Sequence, residues 1–385
     1  MTRVLNSLRI LDFSRVLAGP FATMMLADLG ATVTKVERGG PGGTGDDTRS
    51  WGPPYDAAGE ATYFQSVNRN KDSLVLDLSV AGDQARALAL ALDADVVVEN
   101  FRPGVMDGFG LGYDELRERN PGVVYCSITG FGRGAGAALP GYDLLVQAVG
   151  GLMSITGRAD GEPQKVGVAV VDVLAGLFAT VGILAALRHR DATGAGQWVE
   201  VDLLSSLLAA LVNQSAAYTA GGVVPRRMGN AHPSIAPYSV FQARGGELVL
   251  AVGNDRQFVA LCDVLGAPEL AVDPRFATNV ARVEHRDALG EALEQRLAAR
   301  DPAAWVAELT TARVPAGLVN DMAGAFALAQ QLGLDPVVHI PRGDGSSVDL
   351  PRNPIGLSAT PVEYCSAPPR FEPGAGSQAV ELAER

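Results

Sequence analysis

Residues 8–37 read LRILDFSRVLAGPFATMMLADLGATVTKVE, and the order of apolar runs and breakers within them sets the fold class. The run at 8–13 is apolar enough for a buried strand. Residues 14–20 form a loop with Gly19 and Pro20, 21–29 repeat apolar positions at helical spacing, and Gly30 stops them. Residues 31–36 are rich in β-branched side chains. Strand, crossover helix and strand in this order make a βαβ unit with parallel strands. The alternation continues outward, with strand signals at 73–78, 95–98 and 123–129 and an Ala/Leu-rich helix around 85–91. A mostly parallel sheet with helices on its faces follows, the α/β class.

Further along, an Ala/Leu-rich helix is predicted at 201–220, and Gly221, Gly222 and Pro225 mark the exit from this domain. A strand at 247–252 and helices at 257–265, 283–298 and 303–311 make a smaller α+β domain. After residue 335 the chain is rich in Pro, Asp and Gly, with short strands and a polar tail read as loose.

The formal net charge of −12 argues against nucleic acid as a partner, although a small anion needs only a local basic cluster. Cys126, Cys262 and Cys365 lie far apart, which suits a reducing compartment, and the four scattered histidines offer no metal-site spacing. The first ten residues hold no signal-peptide core, so a cytoplasmic protein is expected. Residues 166–187 are apolar apart from Asp172 and long enough to cross a membrane. An Asp there is costly in lipid, and the segment reads instead as a buried strand at 164–171 turning into a buried helix at 173–188.

That reading puts Asp172 at a helix start, where a carboxylate is a favoured cap. Helix N–H groups also favour the anion there, and an ionised carboxylate in an apolar setting can attack a thioester carbonyl. Position alone leaves cap and catalyst both open. Arg15, Arg38, Lys71 and Arg102 cluster in loops near the ends of the early strands, where an anionic ligand is sought in such a sheet. Arg offers bidentate contact to phosphate. Glu37 ends the βαβ unit as in dinucleotide sites, but the first turn lacks G-x-G-x-x-G, and Gly132, Gly134 and Gly136 lead to no helix. His232, in Gly229-Asn230-Ala231-His232-Pro233, either faces a substrate or serves the loop.

Taken in register, these segments resemble the family III CoA-transferases. The first βαβ unit with Ala18-Gly19-Pro20 is similar to that family's opening. So are VNRNKDSLVLDL (67–78), residues 94–132 and ATGAGQWVEVDLL (192–204), then DPRFATNVARVEHR (273–286), VPAGLVND (314–321) and PRNPIGLSATP (351–361). The resemblance implies a Rossmann-like large domain with a parallel sheet, a smaller α+β domain, and an interlocked homodimer. It implies a large CoA-binding domain over 1–222, a small domain over 223–328, and a return to the large domain over 329–385. Asp172 matches the catalytic aspartate, which relays an acyl group through an anhydride and an aspartyl-CoA thioester. Coenzyme A contacts are implied for Val16, Arg38, Leu76, Leu78, Asn100 and Phe101, with Arg102 among the basic residues beside them and Tyr142 and Asp143 near the thioester.

No permanently bound cofactor is implied. An acyl-CoA donor and a carboxylate acceptor are the partners, with no nucleic acid, no membrane and no metal. Leu17 stands where formyl-CoA transferase has glutamine, Gly108 where it has a cationic contact, and Gly229, Asn230 and His232 where it has a glycine-rich loop. These departures count against formate and oxalate. The loop at 229–238 and VGNDRQF (252–258) resemble relatives acting on dicarboxylates such as succinate, or on carnitine-like acids, which implies succinyl-CoA as a donor. The fold also carries α-methylacyl-CoA racemases, whose histidine base is Tyr142 here. A tyrosine of ordinary pKa, about 10, is a poor base at neutral pH.

Overall fold

The computed structural model describes residues 3–372; the polar tail lies outside them. They form two compact units. One holds the residues up to Leu152, Val166–Val223 and those from Asp335 on; the other holds Met153–Lys165 and Val224–Leu334. The assignment of 153–165 to the second unit has no counterpart in the sequence pattern, because no periodic element spans that segment.

In the first unit the strands are β1 (Arg9–Asp12), β2 (Thr32–Arg38), β3 (Lys71–Leu76), β4 (Val96–Glu99), β5 (Val124–Thr129) and β6 (Trp198–Asp202). They make one sheet in the order β3-β2-β1-β4-β5-β6, with every neighbouring pair parallel. This is the doubly wound, Rossmann-like order. Strands covered on both faces need apolar residues on both. One face, with Ile10, Val33, Val98 and Ile128, packs against the helices Ala18–Asp28 and Val170–Thr193. The other, with Leu11, Val36, Leu74 and Val97, packs against Ala87 and Ala91 of the helix Ala81–Asp93. The order reverses between β1 and β4, so the loops after these strands diverge and leave a crevice at their carboxyl ends.

In the second unit β7 (Tyr238–Ala243), β8 (Gly246–Ala251) and β9 (Ala316–Leu318) form an antiparallel sheet. Phe241, Leu248 and Leu250 of that sheet pack against Phe258, Leu293 and Trp305. A hairpin of β10 (Val337–Pro341) and β11 (Ser347–Pro351) belongs to the first unit.

Three elements depart from the sequence reading. Residues 164–169 form no strand, and Val168 is exposed. A strand needs partners for its peptide groups, and the place beside β5 is taken by β6. That strand lies at the head of the predicted 201–220 helix, which is two helices, Leu203–Ala210 and Val212–Thr219, with Val212 at φ 40°. The helix predicted at 283–298 is also two, Asn279–Glu284 and Arg286–Leu297, parted at His285. Among the described residues one helix, Val170–Thr193, is long and apolar enough to cross a membrane. Here its Ala175, Ala179, Ile183 and Ala186 are buried in the core of the unit.

A dry ionic lattice lies under the β1 loop. Lys35 Nζ is 2.8 Å from Asp46 and donates to the Ser14 carbonyl at 2.8 Å, with both ionised side chains fully buried. Lys71 Nζ meets Asp12 at 3.2 Å and donates to the Pro20 carbonyl and Asn68. Burial alone would raise Asp12; Lys71, Lys35 and the hydroxyls of Ser14 and Thr23 hold it below its ordinary value. Removing one partner of such a pair leaves a charge stranded. Lys35→Met is therefore expected to lower stability by about 3–5 kcal/mol in urea unfolding. Lys35→Met combined with Asp46→Leu should recover most of that loss, and equal losses in both variants would mean the pair does not act through buried charge.

Candidate active site

Asp172 owes its place to a helix that lacks a capping side chain of its own. Ala169 is the N-cap, so Asp172 lies inside the first turn and is not the cap that the sequence suggested. The cap comes from outside. Asp143 Oδ1 accepts the Val171 N–H at 2.8 Å and the Asp172 N–H at 3.4 Å. Asp143 opens the helix Asp143–Val149 behind Tyr142. Gln147 donates to its other oxygen and accepts the Val166 N–H at 2.9 Å. Two carboxylates thus share one helix N-terminus.

Burial first, and the Asp143 charge second, push the Asp172 carboxyl up to about 7. The helix start pulls the other way, and the two influences leave the group poised near neutrality. Tyr63 is close enough to feel the same charges. Its phenol is raised to about 12 by burial, then by Asp172, Asp143 and Asp46. No sequence signal singled out Tyr63, which sits in a one-turn helix, Thr62–Gln65, after a Gly/Pro loop.

Asp172 opens into a cavity of about 90 Å³ that it shares with Asn100, Phe101, Arg102 and the turn at 130–132. Gly130 and Gly141 meet there backbone to backbone; a Cβ on Gly130 would fall 2.4 Å from the Gly141 Cα. The glycine-rich run that failed as a dinucleotide motif therefore supplies a wall. A second, more apolar cleft of about 220 Å³ lies between Phe13, Arg38, Leu76, Leu78 and Phe101. Phe101 walls both. Its turn is clamped to the β1 loop, because Asn100 Oδ1 accepts the Arg15 N–H at 2.9 Å and Asn100 Nδ2 donates to the Arg15 carbonyl at 2.7 Å. The Arg15 guanidinium stacks on the Phe101 ring at 5.0 Å.

The predicted residues are thus partly gathered. Arg38, Leu76, Leu78, Asn100, Phe101, Arg102 and Asp172 line these two cavities. Arg38 and Arg102 are exposed, and among the described residues neither has a carboxylate partner. Val16 and Leu17 line neither cavity and run between Arg15 of one and Ala18 of the other. Val16 is held at φ 71° with its N–H 3.3 Å from Asp46. Tyr142 is exposed and lines neither.

Lys71 is a correction: it is the first residue of β3, fully buried against Asp12, and no rim cation. Glu37 is likewise engaged, by Arg49 at 2.7 Å on each oxygen and by Ser73. Gly229, Asn230 and His232 belong to the second unit. There the Gly229 N–H donates to the Gly157 carbonyl at 3.0 Å, and His232 Nδ1 accepts the Ser234 N–H at 3.0 Å with its ring beside Tyr238.

Fold and cavities together define a class: a doubly wound α/β protein with two neighbouring cavities at its switch point, one bordered by the Asp172 carboxyl and the other by Arg38. The description of CoA-transferase family III matches residues 5–373, and the chain belongs to that family. It is 43% identical to the succinate–glutarate CoA-transferase of Agrobacterium fabrum, over 99% of this chain and 95% of that one. It is 42% identical to the acetyl-CoA:oxalate CoA-transferase of Acetobacter aceti (96% and 94%). It is 41% identical to the succinyl-CoA:glutarate CoA-transferase of Mus musculus (95% and 83%). Among solved structures, a CAIB/BAIF family protein from Brucella suis superposes with a TM-score of 0.86 at 41% identity, covering 100% of both chains. The protein is a family III CoA-transferase.

A carboxyl raised in the folded state weakens the fold wherever it is ionised in both states. Asp172→Asn should therefore be more stable than the parent above pH 7, by roughly 1–3 kcal/mol. The gap should close as pH falls from about 7 towards the unfolded value of about 4. Thermal unfolding across that range checks this; a gap independent of pH would rule out ionisation of Asp172 as its source.

Proposed function

We propose that this transferase moves coenzyme A from an acyl-CoA, with succinyl-CoA as the leading donor, to a carboxylic acid through covalent intermediates on Asp172. The observation that carries the reading is the placement of Asp172 in a cavity whose Phe101 wall it shares with the cleft rimmed by Arg38. A long thioester can lie with its nucleotide part against Leu76, Leu78 and Arg38 and its acyl end at Asp172. Val16, Asn100, Arg102, Tyr142 and Asp143 complete the reading as neighbours of that path. Coenzyme A is then a substrate and not a resident cofactor.

The Asp172 carboxylate attacks the thioester carbonyl, forming a mixed anhydride and releasing CoA thiolate. The thiolate attacks the aspartyl carbonyl, which frees the donor acid and leaves an aspartyl-CoA thioester. The acceptor carboxylate displaces the thiolate to form a second anhydride. Thiolate attack on the acceptor's acyl carbon then yields the new thioester and free Asp172. A carboxyl poised near 7 is a stronger nucleophile, when ionised, than one of ordinary acidity. The Tyr63 phenol, raised to about 12, keeps its proton throughout this range.

Relatives named for succinate and glutarate favour dicarboxylate substrates. The relative named for oxalate keeps that acid in the acceptor panel despite Leu17 and the altered loop at Gly229, Asn230 and His232. With Tyr142 exposed and no imidazole in its place, racemisation is the second reading. With succinyl-CoA and no acceptor, intact mass should show an adduct on Asp172 that is absent from Asp172→Ala. Its rate of formation should fall as pH drops through about 7, because only the carboxylate attacks. No adduct at any pH, together with deuterium wash-in at the acyl α-carbon, would move the site to the racemase reading.

A homodimer working in the cytoplasm, without membrane or nucleic acid, completes the proposal. Its support is an apolar surface on the first unit that includes Leu144, Val149, Phe178, Val181, Leu208 and Val212, all exposed. Patches of this kind mark interfaces. Sedimentation should give about twice the 40.0 kDa chain mass, and Phe178→Asp with Val181→Asp should shift it towards one chain. A stable monomer of the parent protein would remove the dimer from the reading.

A further inference from the structure

Glu99 ends β4 directly beneath the turn that separates the two cavities, and nothing in the transfer chemistry above uses it. Its carboxyl is buried, 7% exposed, and among the described residues it has no ion-pair partner within salt-bridge distance. Oε2 accepts the Phe101 N–H at 2.8 Å, and Ser127 also hydrogen-bonds to the carboxylate. Ser127 Oγ in turn accepts the Trp198 Nε1–H at 3.0 Å. Glu99 thus holds from below the turn that Asn100 holds from the side.

We propose that Glu99 is a positioning residue for coenzyme A, whose carboxylate form fixes the Phe101 turn between the two cavities and whose protonated form releases it. This rests on the CoA reading of those cavities. The argument is one of hydrogen-bond chemistry. A peptide N–H donating to a carboxylate makes a bond roughly twice as strong as one to a neutral acceptor. Protonation removes the charge and puts a hydrogen on one carboxyl oxygen, so the Phe101 N–H is left with a neutral acceptor and the turn loses its charged anchor.

The surroundings make this change accessible. Burial first raises the Glu99 carboxyl to about 7, with Asp107 adding to the rise and Arg133 and the Ser127 and Phe101 hydrogen bonds opposing it. Arg102 and Tyr113 border the same small cavity. Tyr125 and Cys126 of β5 are themselves raised, by burial first and by Glu99 next, so both stay neutral near pH 7. The Arg133 guanidinium stacks on Trp198 at 3.8 Å and reaches Asp107 and Glu200 only at 3.9 Å. Asp172, which lines the first cavity with Asn100, Phe101 and Arg102, is also raised to about 7; a substitution at Glu99 removes one of these two titrations and leaves the other in place.

Glu99→Gln keeps the shape and a neutral acceptor, and so imitates the protonated form at every pH. The test is the dissociation constant for free coenzyme A, measured by calorimetry from pH 6 to 8.5 on the parent protein and on Glu99→Gln, with melting curves confirming that both are folded. The parent should bind about five-fold more tightly at high pH than the variant, and the two should converge near pH 6. Using one ligand for both proteins cancels the titration of its phosphates. Parallel profiles that never converge, or equal affinity throughout, would overturn the role of Glu99 while leaving the CoA site intact. Failure of the parent to bind coenzyme A at any pH would instead overturn the reading of the cavities on which it rests.

Discussion

The ammonium of Lys35 lies between the Asp46 carboxylate and the Ser14 carbonyl, away from water, and the loop that follows β1 takes its shape from that contact. A β-branched residue at positive φ is a strained one, yet Val16 sits at φ 71° with its N–H turned to Asp46. The same carboxylate accepts the Thr48 N–H at 3.0 Å and its hydroxyl at 2.7 Å, so one buried anion ties β2, the β1 loop and the 46–50 turn together. From that loop Arg15 reaches Asn100 and Phe101. The geometry of both cavities therefore descends from charges that no solvent screens. A wholly apolar core of the same volume could match the stability, but it would not orient peptide groups.

Around Asp172 the electrostatic logic is reversed. Around Lys35 opposite charges are paired; around Asp172 like charges are brought together. Asp143 caps the helix that begins beside Asp172 and satisfies its first N–H groups. By doing so it occupies donors that would otherwise stabilise an Asp172 anion, and adds a repelling charge. An acid of ordinary strength would be ionised at neutral pH but weakly nucleophilic. Raising its basicity strengthens attack until too little of it is ionised, and a value near the working pH balances the two.

The fold was legible because buried parallel strands leave apolar or β-branched runs between breakers, as in RILD of β1, VVVE of β4 and VYCSIT of β5, and the β-branched residues of β2. The sixth, β6, carries Trp198, Glu200 and Asp202 between its valines at the edge of the sheet, half-covered, and so its pattern merged with the helix that follows. The misplaced strand at 164–169 has the converse cause: alternating valines with glycine and alanine between them satisfy a period of two without any neighbour to pair with. Asn100 and Phe101 stand in a segment, 94–132, long enough to be matched as a motif, Arg38 directly follows another, and Asp172 stood out as the one charge in a long apolar run. The surroundings of Tyr63 and the capping role of Asp143 depend on contacts between residues far apart in sequence, for which no local pattern exists. Lys71 was misread for a related reason. A lysine beside Asn68 and Asn70 looks like a loop residue until Asp12, from a different strand, is seen to hold it.

Charge distribution also explains how a chain of net charge −12 can seat a polyanion. Long-range repulsion is screened beyond about 8 Å at physiological ionic strength, so affinity depends on what lies within a few ångströms of each phosphate. Interior cations are matched: Arg69 to Asp28 at 2.6 Å, Arg49 to Glu37 at 2.7 Å, Lys35 to Asp46 at 2.8 Å. At the rim, among the described residues, Arg38 and Arg102 have no carboxylate within salt-bridge distance. A guanidinium without an internal partner gives up only water when an anion arrives, whereas a paired one must first break a bond of similar strength. Two unmatched arginines beside the cavities thus supply a local positive field that the net charge of the whole chain does not cancel.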